Sequence, residues 1–226
     1  AGKTSQSAQG IAIGRQSGET SQGGSSVAIG AYTGHTGQAQ TAVAIGYTAG
    51  MTSQGISSVA VGAGAGSTSQ GYNSTAVGDS AGQYSQGFKA VAIGHRAGWG
   101  STTAGDGQGN NAIAIGREAG MTAQTGIAIG YGAGMLTQAG IALGAFSGYS
   151  NQGSGSIAVG RNAGHTTQAS YAIAMGHEAG TYTQSAYSVA MGYQAGQGSA
   201  TAGDVQGAYA VAIGYQAGKT LQSLSG

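Results

Sequence analysis

Cysteine is absent from this 226-residue chain, charge is scarce, and no long apolar run occurs. Without cysteine there are no disulfides and no thiolate metal ligands, and the redox compartment leaves no signature. Charged residues make up 6% of the chain and the net charge is +1, too little to steer a nucleic acid or an anionic membrane. The seven cations, Lys3, Arg15, Lys89, Arg96, Arg117, Arg161 and Lys219, are scattered and form no basic run. No apolar stretch approaches the ~20 residues that span a bilayer, and no secretion signal is visible. Nucleic-acid partners and membrane insertion are therefore not expected.

What is present is repetition. Val43-Ala44-Ile45-Gly46 recurs in close copies that begin at Ile11, Val27, Val43, Val59, Thr75, Val91, Ile113, Ile127, Ile141, Ile157, Ile173, Val189 and Val211. Each copy reads apolar-Ala-apolar-Gly, with Thr75 standing in once for the first apolar residue. The copies lie 16 residues apart, except for two steps of 14 and two of 22, the long repeats being 91–112 and 189–210. A fixed period of this kind is the mark of a solenoid. The forty-eight glycines hold fixed places, which excludes the every-third-residue rhythm of collagen and argues against disorder.

In the repeat 43–58, β-branched Val43 and Ile45 share one face of a short strand and Ala44 takes the other. Gly46 ends that strand, and Gly50 follows after a small residue, a spacing that marks a turn. A second strand is predicted around Met51–Gln54 before another turn. Stacked coils then pair their strands in parallel, ~4.8 Å apart. The fold class is all-β, a parallel β-roll or solenoid, in a single repeat domain over 1–226. The opening segment 1–6 reads as the middle of a repeat, like 217–222, so a fragment of a longer fibre is expected.

Two residue files follow the period. Alanine recurs at the second motif position, as at Ala44, Ala60 and Ala128, and suits either a narrow coil interior or close packing against another chain. Glutamine recurs as at Gln54, Gln70 and Gln168, where stacked amides can bond along the axis as an internal ladder or form a ligand-binding row. Coils this thin bury little area alone, so association of several chains around a shared apolar core is expected.

The pattern resembles the head repeats of trimeric autotransporter adhesins, most closely at Asn73-Ser74-Thr75-Ala76-Val77-Gly78. The longer unit Val211-Ala212-Ile213-Gly214-Tyr215-Gln216-Ala217-Gly218 is also similar to repeats of bacteriophage tail fibres, and the Ala-Gly-x-Thr-x-Gln segments at 49–54 and 163–168 favour that version. The resemblance covers essentially the whole chain. It implies a left-handed β-roll, a side-by-side homotrimer, and attachment to a bacterial surface polysaccharide or outer-membrane protein. The implied location is the virion, with the bacterial outer-membrane surface as the alternative.

Each long repeat is lengthened by six residues within a shared segment, Gly100-Ser101-Thr102-Thr103-Ala104-Gly105-Asp106 and Gly198-Ser199-Ala200-Thr201-Ala202-Gly203-Asp204. Solenoid insertions emerge as loops on one face, often the binding face. With the single tryptophan beside the first, Trp99, Thr102, Asp106, Thr201 and Asp204 are the candidate receptor contacts. The twelve tyrosines suit a recognition surface, although they also fit strand margins.

No catalytic constellation is found, and an enzyme is not expected. The acidic residues Glu19, Asp79, Asp106, Glu118, Glu178 and Asp204 form no close pair in sequence. His35, His95, His165 and His177 lack metal-ligand spacing, so no cofactor or metal is assigned. Gly214-x-x-x-Gly218-Lys219-Thr220 is one residue short of a phosphate loop. A start of a regular threonine row at Thr20, Thr36, Thr52 and Thr68 leaves an ice-binding solenoid as a further alternative, beside a plain structural spacer.

Overall fold

A computed structural model describes residues 1–103, 105–199 and 205–219. Every strand in it is three residues long, and the described residues contain no helix. The chain divides into two compact units, 1–123 and 124–226. Both are parallel β-solenoids.

In the first unit the principal sheet stacks Ile11–Ile13, Val27–Ile29, Val43–Ile45, Val59–Val61, Thr75–Val77, Val91–Ile93 and Ile113–Ile115. In the second it stacks Ile127–Ile129, Ile141–Leu143, Ile157–Val159, Ile173–Met175, Val189–Met191 and Val211–Ile213. Register is strict. Ala28 pairs with Ala44 and Ala44 with Ala60 in the first unit, Ala158 with Ala174 and Ala174 with Ala190 in the second.

The predicted second strand forms as well, at Thr36–Gln38, Thr52–Gln54 and Thr68–Gln70 in the first unit, and at Leu136–Gln138 and Ser150–Gln152 in the second. Single bridges continue it at Thr4, Thr20 and Tyr84, and at Gln168, Gln184 and Gln206. The central residue of this strand is left-handed, with φ 55° at Ser53. That kink puts Ser53 in solvent and turns Gln54 inward.

The alanine file lines the coil interior. Ala28, Ala44, Ala60, Ala128 and Ala174 are fully buried, whereas Val43 is half-buried and Ile45 is 38% exposed. Two more small-residue files join it, one through Ala49, Ala65 and Ala81, the other through Ala42, Ala90 and Ala112. Where serine replaces alanine its hydroxyl bonds a local carbonyl, as Ser17 does to Ala28 (2.7 Å) and Ser58 to Gly55 (2.7 Å).

The glutamines are the large interior side chains, and their main bond is not the one expected. Instead of running chiefly along the axis, each brace crosses its own coil. Gln54 Nε2 donates to the Val43 carbonyl at 2.8 Å, Gln38 to Val27 at 2.7 Å, and Gln168 to Ile157 at 2.8 Å. Axial amide bonds join Gln70 to Gln86 to Gln108 and Gln152 to Gln168 to Gln184, at 3.1–3.2 Å. A glutamine long enough to cross the coil meets a strand carbonyl pointing at it, and that bond leaves the coil-to-coil one as a secondary contact.

Two glycines per coil are required. Gly46 has φ 128°, and a Cβ there would lie 2.6 Å from the Gly62 carbonyl oxygen in the next coil. Gly50 has φ 52°, and a Cβ would meet the Gln54 amide oxygen at 2.7 Å. The first glycine thus permits coil stacking, and the second makes room for the buried brace.

Backbone pairing continues through the turns. Thr48 N–H donates to Ala31, Gly50 to Ala65 and Ser57 to Gln40, so the turns are bonded to neighbouring coils much as the strands are. The 14-residue repeats lose two residues from the turn before the strand, between Gln124 and Ile127 and between Gln138 and Ile141. The 22-residue repeats gain six between the first turn and the glutamine.

Candidate interaction surfaces

Turning alanine inward turns the branched residues outward. Within each unit the first and third strand positions form two parallel files of valine, isoleucine, leucine and methionine, with Thr75 the one polar member among the described strands. Ile93, Ile129, Met175 and Met191 are each more than a third exposed. None of these positions carries a charge. A soluble monomer seldom leaves such a continuous apolar strip uncovered, and strips of this kind mark interaction surfaces.

In the second unit aromatic stacks border this strip on both sides. Tyr171, Tyr187 and Tyr209 precede their strands and stack with ring centroids 5.3 Å apart. His177, Tyr193 and Tyr215 follow their strands and stack at 5.3–5.4 Å. Strict register places like residues one coil apart, close to the preferred separation of offset rings. All five of these tyrosines are exposed, so ring edges and hydroxyls extend the apolar face sideways.

The structure describes the three candidate receptor contacts at the first insert, Trp99, Thr102 and Asp106. Trp99 is half-buried: its indole N–H donates to Gln83 (2.5 Å), Tyr84 packs edge-on at 5.6 Å, and the Arg96 guanidinium lies 5.6 Å from its ring. The tryptophan is thus held by its own and the preceding coil. Asp106 closes the insert, accepting from the Ser101 hydroxyl at 2.8 Å while its backbone carbonyl accepts from Ala123 N–H. Thr102 is exposed on that loop. Thr201 and Asp204 lie outside the described residues.

A third surface lies along the turns of the second unit. Phe146, Tyr149, Arg161, Asn162 and His165 line one hollow. Asn162 and His165 also line the next, with Glu178, Thr181, Tyr182 and Gln197. Tyr149 and His165 stack face to face at 5.0 Å. Burial holds the His165 imidazole below its ordinary pKa, which favours its neutral form. Hydrogen bonding from Gln194, assisted by His177, Arg161 and Gln197, keeps the Glu178 carboxyl below the usual carboxylate range.

Comparison with protein-family models, with curated proteins and with solved structures finds no match.

Sequence reasoning missed both the aromatic borders and this groove. The signal was present in the spacing: Tyr149 and His165 are 16 residues apart, as are Tyr171 and Tyr187, so equal offsets within the period place them in contact. In the first unit a threonine row runs in register through Thr4, Thr20, Thr36, Thr52 and Thr68 and ends at Tyr84.

Proposed function

We propose that the chain is a receptor-binding section of a bacteriophage tail fibre, a homotrimeric adhesin that attaches the virion to a bacterial surface polysaccharide or outer-membrane protein. The observation that carries this reading is the uncharged aliphatic strip turned outward by the alanine interior. A second copy with the same strip offers a partner of equal periodicity, and burying the strip would add a core of larger apolar side chains to the alanine interior. Repeated outer surfaces on associated chains would let weak contacts, including the loop at Thr102, act together on a host. The head of a bacterial trimeric adhesin, bound to a host matrix or cell-surface protein, would use the same architecture. A gene beside virion-assembly genes supports the first reading, and one joined to a membrane anchor supports the second.

The test joins two measurements on the whole chain. Light scattering should give three times the 21.6 kDa chain mass, with unfolding that depends on protein concentration. Labelled protein should sediment with susceptible bacteria. A concentration-independent monomer rejects the assembly, and a trimer that ignores every cell type leaves a structural spacer. The five-rung threonine row favours ice binding as a second reading, which thermal hysteresis would detect.

A further inference from the structure

The groove along the turns of the second unit has a built shape and a consistent chemistry. Its floor is aromatic: Tyr149 and His165 lie parallel, 3° from coplanar, and Phe146 packs against both at 5.9 and 6.5 Å. One coil further on, the same turn position is Thr181, which is short and buried. The ring stack therefore stops at His165, and its far side adjoins a hollow walled by Glu178, Tyr182 and Gln197. On the near side the first hollow is flanked by Arg161 and Asn162.

The charged groups here are already engaged within the protein. Arg161 points its guanidinium at His177 Nε2, at 2.8–3.0 Å. Glu178 Oε2 accepts from Gln194 at 2.8 Å and from Gln197 at 3.1 Å. One cation and one carboxylate leave the groove with no net charge to attract an ion. What they leave is a row of hydroxyl-matching groups, two amides, a carboxylate and Thr166, beside aromatic faces and a neutral imidazole. Aromatic faces carry negative charge density and attract polarised C–H groups, whereas amides and carboxylates pair with hydroxyls.

We infer that the Phe146–Gln197 groove binds a neutral oligosaccharide, with sugar rings seated against His165 and Phe146 and their hydroxyls held by Asn162, Glu178 and Gln197. This deepens the proposed attachment function and rests on it for its biological setting. It names the receptor chemistry as a glycan and its address as one side of the second unit.

The full chain is titrated by calorimetry with neutral glucan, mannan and galactan oligosaccharides and with an acidic oligogalacturonate. A neutral oligosaccharide should saturate the protein. Thr181→Tyr, which continues the ring stack into the hollow, and His165→Ala, which removes the seat, should each weaken binding about tenfold or more. Their unfolding transitions are measured alongside, and Thr181→Ser, which keeps the step, should bind as the parent does. The inference is overturned if no neutral oligosaccharide binds, if only the acidic one does, or if both groove variants bind undiminished. Sedimentation with bacteria separates the two levels. Variants that still adhere like the parent remove the groove and leave attachment standing; sugar binding by a chain that never adheres does the reverse.

Discussion

A glutamine inside an alanine-lined coil is an expensive choice, because every buried amide atom needs a partner. Gln54 meets that need only in part: its Nε2 bonds Val43, while its Oε1 finds no protein partner. Gln168 is better connected, donating to Ile157, Ala172 and Gln184 and accepting from Gln152. At about 1 kcal/mol net per hydrogen bond, Gln168→Leu should destabilise its unit by several times that amount and Gln54→Leu by clearly less. Urea unfolding of the two variants checks the order, and equal losses would mean that the axial bonds contribute nothing. His165 gives a pH signature. Its folded pKa lies below the ordinary 6.5, so the unfolded chain takes up the proton first as pH falls. Stability is then unaffected well above pH 6.5 and declines as pH drops through that value toward the folded pKa. His165→Gln should abolish the decline in melting temperature between pH 7.5 and 5.5. The inward glutamine was legible from its period, because a residue that recurs in every coil answers to the interior. Its partner was not, since reach across a coil depends on a width that spacing alone does not reveal.

At the scale of the element, three-residue strands are too short to persist alone, and each is held by the coils above and below. Sequence identified them well: Val43–Ile45 forms as read, and the predicted second strand appears at Thr52–Gln54. Its left-handed centre was hidden, because serine at Ser53 has no bias strong enough to announce φ 55°. Insert loops are a different kind of element. The first leaves the coil after Gly100 and returns before Gln108, whose Nε2 still reaches the Val91 carbonyl at 2.7 Å. Deleting 101–106 should therefore rejoin a standard 16-residue coil, retain the β spectrum, and move stability by no more than about 1 kcal/mol. Circular dichroism with thermal unfolding checks this, and attachment to bacteria should fall if Thr102 touches the receptor. The setting of Trp99 was not legible, because position beside a loop says nothing about neighbours contributed by the preceding coil, here Gln83 and Tyr84.

For the molecule as a whole, the alanine interior divides labour between inside and outside. The three small-residue files and the glutamine braces close each coil, and the branched residues are left on the outside. Ile45→Lys and Ile29→Lys together should leave the coils folded, since neither side chain enters the interior, yet abolish self-association by placing charges on the strip. Light scattering and circular dichroism report the two halves of that statement separately. Loss of fold together with loss of mass would show that the strip is needed for the coil itself. The period made the solenoid legible at once, whereas the surfaces required knowing which way each file points.

Strict register has a consequence for how such a chain can change over generations. Equivalent backbone groups in successive coils bond to their neighbours in the same pattern, and the motif glycine at Gly46 meets Gly62 as Gly160 meets Gly176. Unequal recombination between two copies of the repeat can thus add or remove a whole rung while each retained interior side chain keeps a partner of its own kind. Outer residues travel with their rung, so a binding patch can be duplicated, erased or assembled from pieces in single genetic events.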